Sequence, residues 1–169
     1  MILETERLIL RELEQSDFQD LAEILQNSEV MYAYEHDFTD DDVQIWLDKQ
    51  KKHYEEYNFG LWAVVLKLTG EMIGQAGLTL QKYREEAVLE IGYLLKQKFW
   101  HNGYAREAAE YCKQYAFETL NRNEVFSIIK TDNIPSVKVA ESIGMHRKDE
   151  FVTQYYNGDM LHFLYSARK

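Results

Sequence analysis

The 169-residue chain has one cysteine, Cys112, and one proline, Pro135. A single thiol excludes an internal disulfide framework and a cysteine-based zinc site. With so little proline and no low-complexity tract or repeat, the chain offers no linker at which to divide it, so we expect one continuous domain over residues 1–169. Basic residues are also scarce: 19 Lys and Arg stand against 29 Asp and Glu, a formal net charge of −10. Nucleic-acid binders draw much of their affinity from phosphate neutralisation, so this balance argues against such a partner without excluding a local basic patch. No apolar run approaches the roughly 18 residues of a membrane-spanning helix. The opening MILETERLILRELEQSD lacks the basic and apolar blocks of a secretory signal. A cytoplasmic location with no membrane partner is the resulting expectation.

What is present is the mix of a soluble globular protein: 46% hydrophobic, 28% charged and 14% aromatic residues. At this length folding removes roughly 70% of the unfolded chain's surface from water. The acidic excess suits cationic partners, amines or basic proteins, at long range. It serves solubility equally well.

Periodicity orders the chain as β-α-α-β-β-β-α-β-α-β-β. TERLILREL, residues 5–13, alternates Leu8 and Leu10 with charged neighbours and reads as a strand. Ser16-Asp17 is placed to cap a helix through Phe18, Leu21, Ala22, Ile24 and Leu25. Thr39 followed by Asp40, Asp41 and Asp42 opens a second helix, its acids at the positive end of the helix dipole and Val43, Trp46, Leu47 and Gln50 on one face. LWAVVLKL, the turn Thr69-Gly70-Glu71 and MIGQAGLTL read as a hairpin, and AVLEIGYLL as the next strand. WHNGYAREAAEYCKQYAFETL carries a stripe of mostly small residues, Ala105, Ala108, Ala109, Cys112, Tyr115 and Ala116, so this helix can lie close to a sheet. On that stripe Cys112 reads as core. EVFSIIK is a strand, Asp132-Asn133 caps a short helix closed by Gly144, and Asn157-Gly158 joins two last strands. A mixed α/β sheet covered by helices accommodates this order.

The informative stretch is EIGYLLKQKFWHNGYARE, residues 90–107. A buried strand feeds a short loop, and the loop feeds a helix whose first N–H groups have no internal partner. Such a junction favours anions. Gly103 permits close backbone approach and Ala105 removes bulk. No Gly-Lys-Ser/Thr follows, and the three spaced glycines of a dinucleotide fingerprint are missing. Trp100-His101-Asn102-Gly103-Tyr104-Ala105 instead resembles the pyrophosphate loop of the GCN5-related N-acetyltransferases, Gln/Arg-x-x-Gly-x-Gly/Ala. Its leading Trp is similar to the branch that contains the ribosomal-protein alanine and serine N-acetyltransferases. ETERLILREL, TGEMIGQAGL, LEIGYLL and DNIPSVKVAESIGM resemble further segments of that branch in the same order, over nearly the whole chain.

The resemblance implies a GNAT fold, a mixed and mostly antiparallel twisted sheet of about seven strands flanked by about four helices. It also implies acetyl-CoA as acetyl donor, CoA as product and no metal. The amides of His101, Asn102, Gly103, Tyr104, Ala105 and Arg106 would cradle the pyrophosphate. Tyr93, Leu94 and Leu95 would pair with the pantetheine arm through main-chain groups, the amide near Leu94 polarising the thioester carbonyl. Asn133 would contact the pantetheine or a catalytic water, or serve only as a helix cap. Two departures stand out: His101 occupies a position that is often Gly, and Ala140 the position of the family's usual Tyr acid. Ser136 is then the substitute acid and a cofactor contact, unless its hydroxyl merely caps the helix.

Acetyl transfer to an amine needs a base, a donor to the thioester carbonyl and an acid for the leaving thiolate. Glu90 lies in an apolar strand where burial would raise its pKa toward a useful value, and it matches the glutamate of the family's central strand. An outward-facing strand glutamate is the plainer alternative. His36, in the YEHDFTDDD segment, is a second base, a substrate contact or a surface residue; Tyr34 lines the acceptor mouth with it. Trp46, Trp62 and Tyr32 are further aromatics for that cleft, though the tryptophans serve equally as core. The acceptor is a protein N-terminus, such as that of a ribosomal protein, or a small cationic amine, and the oligomeric state is monomer or homodimer. A non-catalytic acyl-CoA-binding or sensory module is the competing reading.

Overall fold

The computed structural model describes residues 1–169, the side chain of Tyr155 excepted. Its strands are β1 (Leu3–Glu4), β2 (Leu8–Arg11), β3 (Leu61–Leu66), β4 (Met72–Tyr83), β5 (Glu86–Leu95), β6 (Glu124–Lys130), β7 (His146–Tyr155) and β8 (Gly158–Arg168). They form one sheet in the order β1-β2-β3-β4-β5-β6-β8-β7. Every neighbouring pair is antiparallel except β5 and β6, which run parallel. Four helices accompany it: α1 (Phe18–Leu25), α2 (Asp40–Tyr57), α3 (Tyr104–Glu118) and α4 (Ile134–Ser142).

Side-chain alternation assigns the helices to opposite faces. Trp46 of α2 donates its indole N–H to Gln75 of β4, whereas Trp62 of β3 packs edge-on against Tyr115 of α3. Trp62 pairs with Ala76, the neighbour of Gln75, so the two tryptophans mark the two faces. β3 and the first half of β4 are therefore buried on both sides, as covered strands are. The small stripe on α3 is buried as expected: Ala108, Ala109, Cys112 and Ala116 are fully enclosed. Burial pushes the Cys112 thiol up to about 12, which makes it core and no nucleophile.

Three local expectations change. The expected first strand over 5–13 shortens to β2 and a further strand, β1, precedes it, giving eight strands: Thr5 Oγ1 accepts from the Leu8 amide at 2.9 Å, and the chain turns between β1 and β2. Asp17 does not cap α1. Its carboxylate takes a bidentate pair from Arg11 (2.7 and 2.8 Å) and the Glu14 amide, holding a 3-10 turn before the helix. The stretch from Trp100 to Gly103 lies outside α3, because His101 (φ 63°) and Gly103 (φ 78°) are left-handed and cannot propagate a helix. Elsewhere the caps follow the sequence. Thr39 and Asp42 form a reciprocal capping box on α2, Asn133 accepts from the Ser136 amide, and Gly144 (φ 82°) ends α4.

Where β4 crosses β3, Gly77 lies against bare backbone. A Cβ there would sit 2.9 Å from the Leu61 Cα and closer still to the Gly60 carbonyl oxygen. Neither neighbour can swing aside as a side chain would. Gly77→Ala should therefore destabilise the fold by about 2 kcal/mol or more, an overpacking cost. Urea unfolding of the variant checks this, and an unchanged midpoint contradicts the close approach.

Candidate active site

The site forms where the sheet opens. β5 and β6 share a single parallel pair, Glu90 with Phe126. Beyond it side chains bridge the gap: the Ile128 amide donates to Glu90 Oε2 at 2.9 Å, and Ser127 Oγ donates to the Ile91 carbonyl at 3.1 Å. The Lys96 amide donates to Ile73 of β4, so alternation turns the main-chain groups of Leu94, Gly92 and Glu90 toward β4. Those of Ile91, Tyr93 and Leu95 face the opening. The Leu95 carbonyl already accepts from Trp100 Nε1 at 3.0 Å, which pins the following loop to the strand end.

Two cavities meet at this opening. The smaller, about 100 Å³, runs between β5 and β6 and is bordered by Glu90, Tyr93, Ser127, Asn133, Ser136 and His162. The larger, about 560 Å³, lies on the α2 side, with Trp46, Gln75, Thr79 and Tyr156 among its walls. Tyr34, Glu90, Gly92, Tyr93, Leu94 and Ile128 belong to both. Burial raises the Glu90 carboxyl to about 7, against hydrogen bonds from the Ile128 amide and Thr79 that hold it down. Glu90 thus divides its time between acid and base near neutral pH. Burial also pushes the Tyr93 phenol well above its ordinary range, and its O–H donates to the Ser136 carbonyl at 3.0 Å.

The loop after β5 is shaped for an anion. None of the N–H groups of residues 101–106 donates to a carbonyl among the turns and caps. At the start of α3 such groups point outward and carry the positive end of the helix dipole. Asn102 braces the loop by donating to the Trp100 and Phe99 carbonyls at 2.8 and 3.2 Å. Arg7 ties it to the first hairpin: Nε meets Glu107 at 2.7 Å, Nη1 donates to the Asn102 carbonyl at 2.9 Å, and the guanidinium lies 4.5 Å over the Tyr104 ring. Glu107 also accepts from the Arg7 amide and from Thr5 Oγ1. A loop of free amides beside a cleft with outward-facing strand groups fits a pyrophosphate with an extended arm.

Residues 7–146 match the model of the acetyltransferase (GNAT) domain. The chain belongs to the GNAT acetyltransferase family. It is 33% identical over 152 residues to the uncharacterised N-acetyltransferase YnaD of Bacillus subtilis, covering 89% of this chain and 86% of YnaD. A GNAT-family acetyltransferase from Bacillus anthracis superposes with a TM-score of 0.83 at 27% identity, covering 99% and 98% of the two chains. Below 25% identity the fold alone is shared. The ribosomal-protein-S5-alanine acetyltransferase of Vibrio fischeri has a TM-score of 0.77 at 20% identity, covering 98% and 95%. The spermidine N-acetyltransferase of Vibrio cholerae, solved with CoA and spermine, has 0.76 at 18%, covering 96% and 95%. The chain is an N-acetyltransferase of this fold.

Within this GNAT site, Glu90, Tyr93, Leu94, Asn133, Ser136 and Tyr34 come together around the opening. Leu94 contributes its side chain there while its amide serves the β4 ladder, so the outward main-chain donor is its neighbour Tyr93. His36 stands apart. It borders neither cavity, and its ring stacks on Tyr156 at 4.0 Å with Nε2 3.3 Å from Asp42. Among the other aromatics, Trp46 lines the larger cavity, Trp62 is core, and the Tyr32 hydroxyl lies 3.5 Å from the Asp132 carbonyl. Ala140 is buried and brings no acid to that turn of α4.

Sequence reasoning missed four participants: Arg7, Glu107, Gln75 and His162. The first two are distant partners that no local pattern announces. Gln75 and His162 read as ordinary strand positions, yet both are buried and face a cavity.

Burying Glu90 bears on stability as well as chemistry. Its folded pKa lies above its unfolded value, so between about 4.5 and 7 the native state holds more protons than the unfolded chain. Stability then falls as pH rises through that window. Glu90→Gln removes the titration but keeps an acceptor for the Ile128 amide. Its melting temperature should exceed that of the wild type at pH 8, and the gap should narrow toward pH 5. A constant gap across that range contradicts the raised pKa.

Proposed function

We propose that this GNAT enzyme moves the acetyl group of acetyl-CoA to a primary amine by direct transfer in a ternary complex. The observation that carries the reading is Glu90 as a common wall of two cavities, one between the parting strands β5 and β6 and the other open on the α2 side for an acceptor. The CoA-bound spermidine N-acetyltransferase of the same fold supports the choice of donor. Acetyl-CoA supplies an acetyl group activated as a thioester. The amides of His101 to Arg106 bind its pyrophosphate, and Tyr93 and Leu95 offer main-chain groups to the arm. Asn133 and Ser136 border the same cleft from α4.

In the transfer the amine nitrogen bonds to the acetyl carbon, the carbon–sulfur bond breaks and CoA departs. Glu90 takes the amine proton, directly or through water. The Tyr93 N–H is the donor for the developing negative charge on the carbonyl oxygen, where a fixed main-chain group acts without reorganising. Ser136 or water returns a proton to the sulfur. The acceptor is a protein N-terminus, as for the ribosomal-protein enzymes, or a small amine, and a cytoplasmic setting suits both.

Two substitutions test the roles. Glu90→Gln should lower kcat by roughly 10²-fold, the usual span of general-base catalysis. The wild-type kcat should rise with pH through about 7, as the carboxyl ionises, and the variant should lose that inflection. Equal rates and equal profiles would assign the proton to solvent. Ser136→Ala separates acid from cap: a fall in kcat with unchanged acetyl-CoA affinity marks an interaction made in the transition state. Full turnover by single-turnover kinetics, whatever the melting temperature, would remove Ser136 from the chemistry.

A further inference from the structure

The larger cavity has its own chemistry, set by a buried amide. Gln75 is wholly buried in β4 and borders this cavity. The Trp46 indole N–H, which can only donate, reaches Gln75 Oε1 at 3.1 Å. That contact fixes the orientation of the amide. It leaves Gln75 Nε2 as a buried donor without a hydrogen-bond partner among the described residues. An unmet buried donor is costly, so the position favours a ligand that brings an acceptor oxygen.

Charge points the same way. Besides the phenols of Tyr34, Tyr93 and Tyr156, the ionisable side chains bordering the cavity are Lys49, His53, Lys82 and Glu90, and burial with Lys49 nearby holds the His53 pKa below its usual value. Neither lysine is ion-paired among the described residues. Of the acids of residues 35–42, Glu35 pairs with Lys130, Asp40 accepts from Gln26, and Asp42, near Tyr156 of the cavity wall, accepts from Thr39. No residue of that acidic run borders the cavity. In a chain of net charge −10, the acceptor side of Glu90 is therefore rimmed by cations.

We propose that the acceptor is a small amine that also carries a carboxylate or phosphate, its anionic oxygen received by Gln75 Nε2 and attracted by Lys49 and Lys82 while its amine turns to Glu90. The proposal rests on the acetyl-transfer reading and names its substrate class. Gln75 lies four residues along β4 from Thr79, the partner of Glu90. At strand spacing that separates the two anchor points by about 13 Å of backbone. The amine and the anion therefore stand several bonds apart, as the ε-amine and carboxylate of lysine do.

Release of free CoA from acetyl-CoA is the assay, run on matched amines: L-lysine against cadaverine, which lacks only the carboxylate, and glucosamine 6-phosphate against glucosamine, with spermidine as a pure cation. The anionic member of at least one pair should show kcat/KM tenfold or more above its counterpart, and which pair responds tells carboxylate from phosphate. That preference should shrink in Gln75→Leu, and shrink in Lys49→Ala/Lys82→Ala, whose exposed positions spare the fold. It should also weaken with added salt. Robust transfer with the anionic member preferred in neither pair, or with spermidine preferred over both anionic amines, overturns this proposal and leaves acetyl transfer standing. Silence across the whole panel with acetyl-CoA bound also overturns this proposal, a protein N-terminus remaining as acceptor, whereas failure to bind acetyl-CoA contradicts the acetyl-transfer reading itself.

Discussion

Parallel strands ordinarily continue side by side, each N–H and C=O finding a partner across the gap. Here β5 and β6 meet at Glu90 and Phe126 and then part. Parting exposes main-chain groups that would be costly to leave unpaired inside a sheet. The chain meets that cost with side chains, Glu90 receiving the Ile128 amide and Ser127 reaching the Ile91 carbonyl. The same substitution places a carboxylate at the narrowest point of the opening, where burial raises its pKa to about 7. The structural repair and the proposed base are one residue. Everything proposed for the chemistry depends on that coincidence.

An opening in a sheet is useful only if its edges hold still. Lys96, at the end of β5, has a side chain 3% exposed and meets Asp20 at 2.6 Å and Glu23 at 2.8 Å, both on α1. Burial alone would lower the Lys96 pKa, but these carboxylates more than offset it and keep the ammonium charged. Trp100 fastens the loop to Leu95, and Arg7 with Glu107 fastens it to the first hairpin. These tethers come from three parts of the chain and hold the strand end and the anion loop at fixed separation. On the far edge, the Lys130–Glu35 pair and the Asn157 side chain, which donates to the Glu35 carbonyl, hold the 30–38 segment across the mouth.

Much of this was legible locally. β6 begins and ends where its alternation does, and the Asn133 cap, the Gly144 stop and the Asn157-Gly158 turn each rest on a residue with a strong conformational preference. Asp17 misled because a cap signal and an arginine partner six residues earlier compete for the same carboxylate. The opening itself could not be read from residues, since period-2 alternation says which way a side chain points and nothing about where two strands diverge. It entered through family resemblance. Arg7 and Glu107, one hundred positions apart, and Gln75, whose meaning depends on Trp46 taking its oxygen, are products of tertiary contact alone. The surroundings of His36 were hidden for a related reason: Tyr156, from the far end of the chain, stacks over its ring.

The account's central claim is that donor and acceptor meet at this one opening from opposite sides. Amide and side-chain NMR spectra recorded while CoA is added, and then a carboxylate-bearing amine such as lysine, test it most directly. CoA should shift the amides of residues 101–106, Tyr93, Leu95 and Ser136, and the amine should then shift the Gln75 side-chain amide and the Trp46 indole signal. Shifts from CoA confined to residues away from the β5–β6 opening would contradict the account.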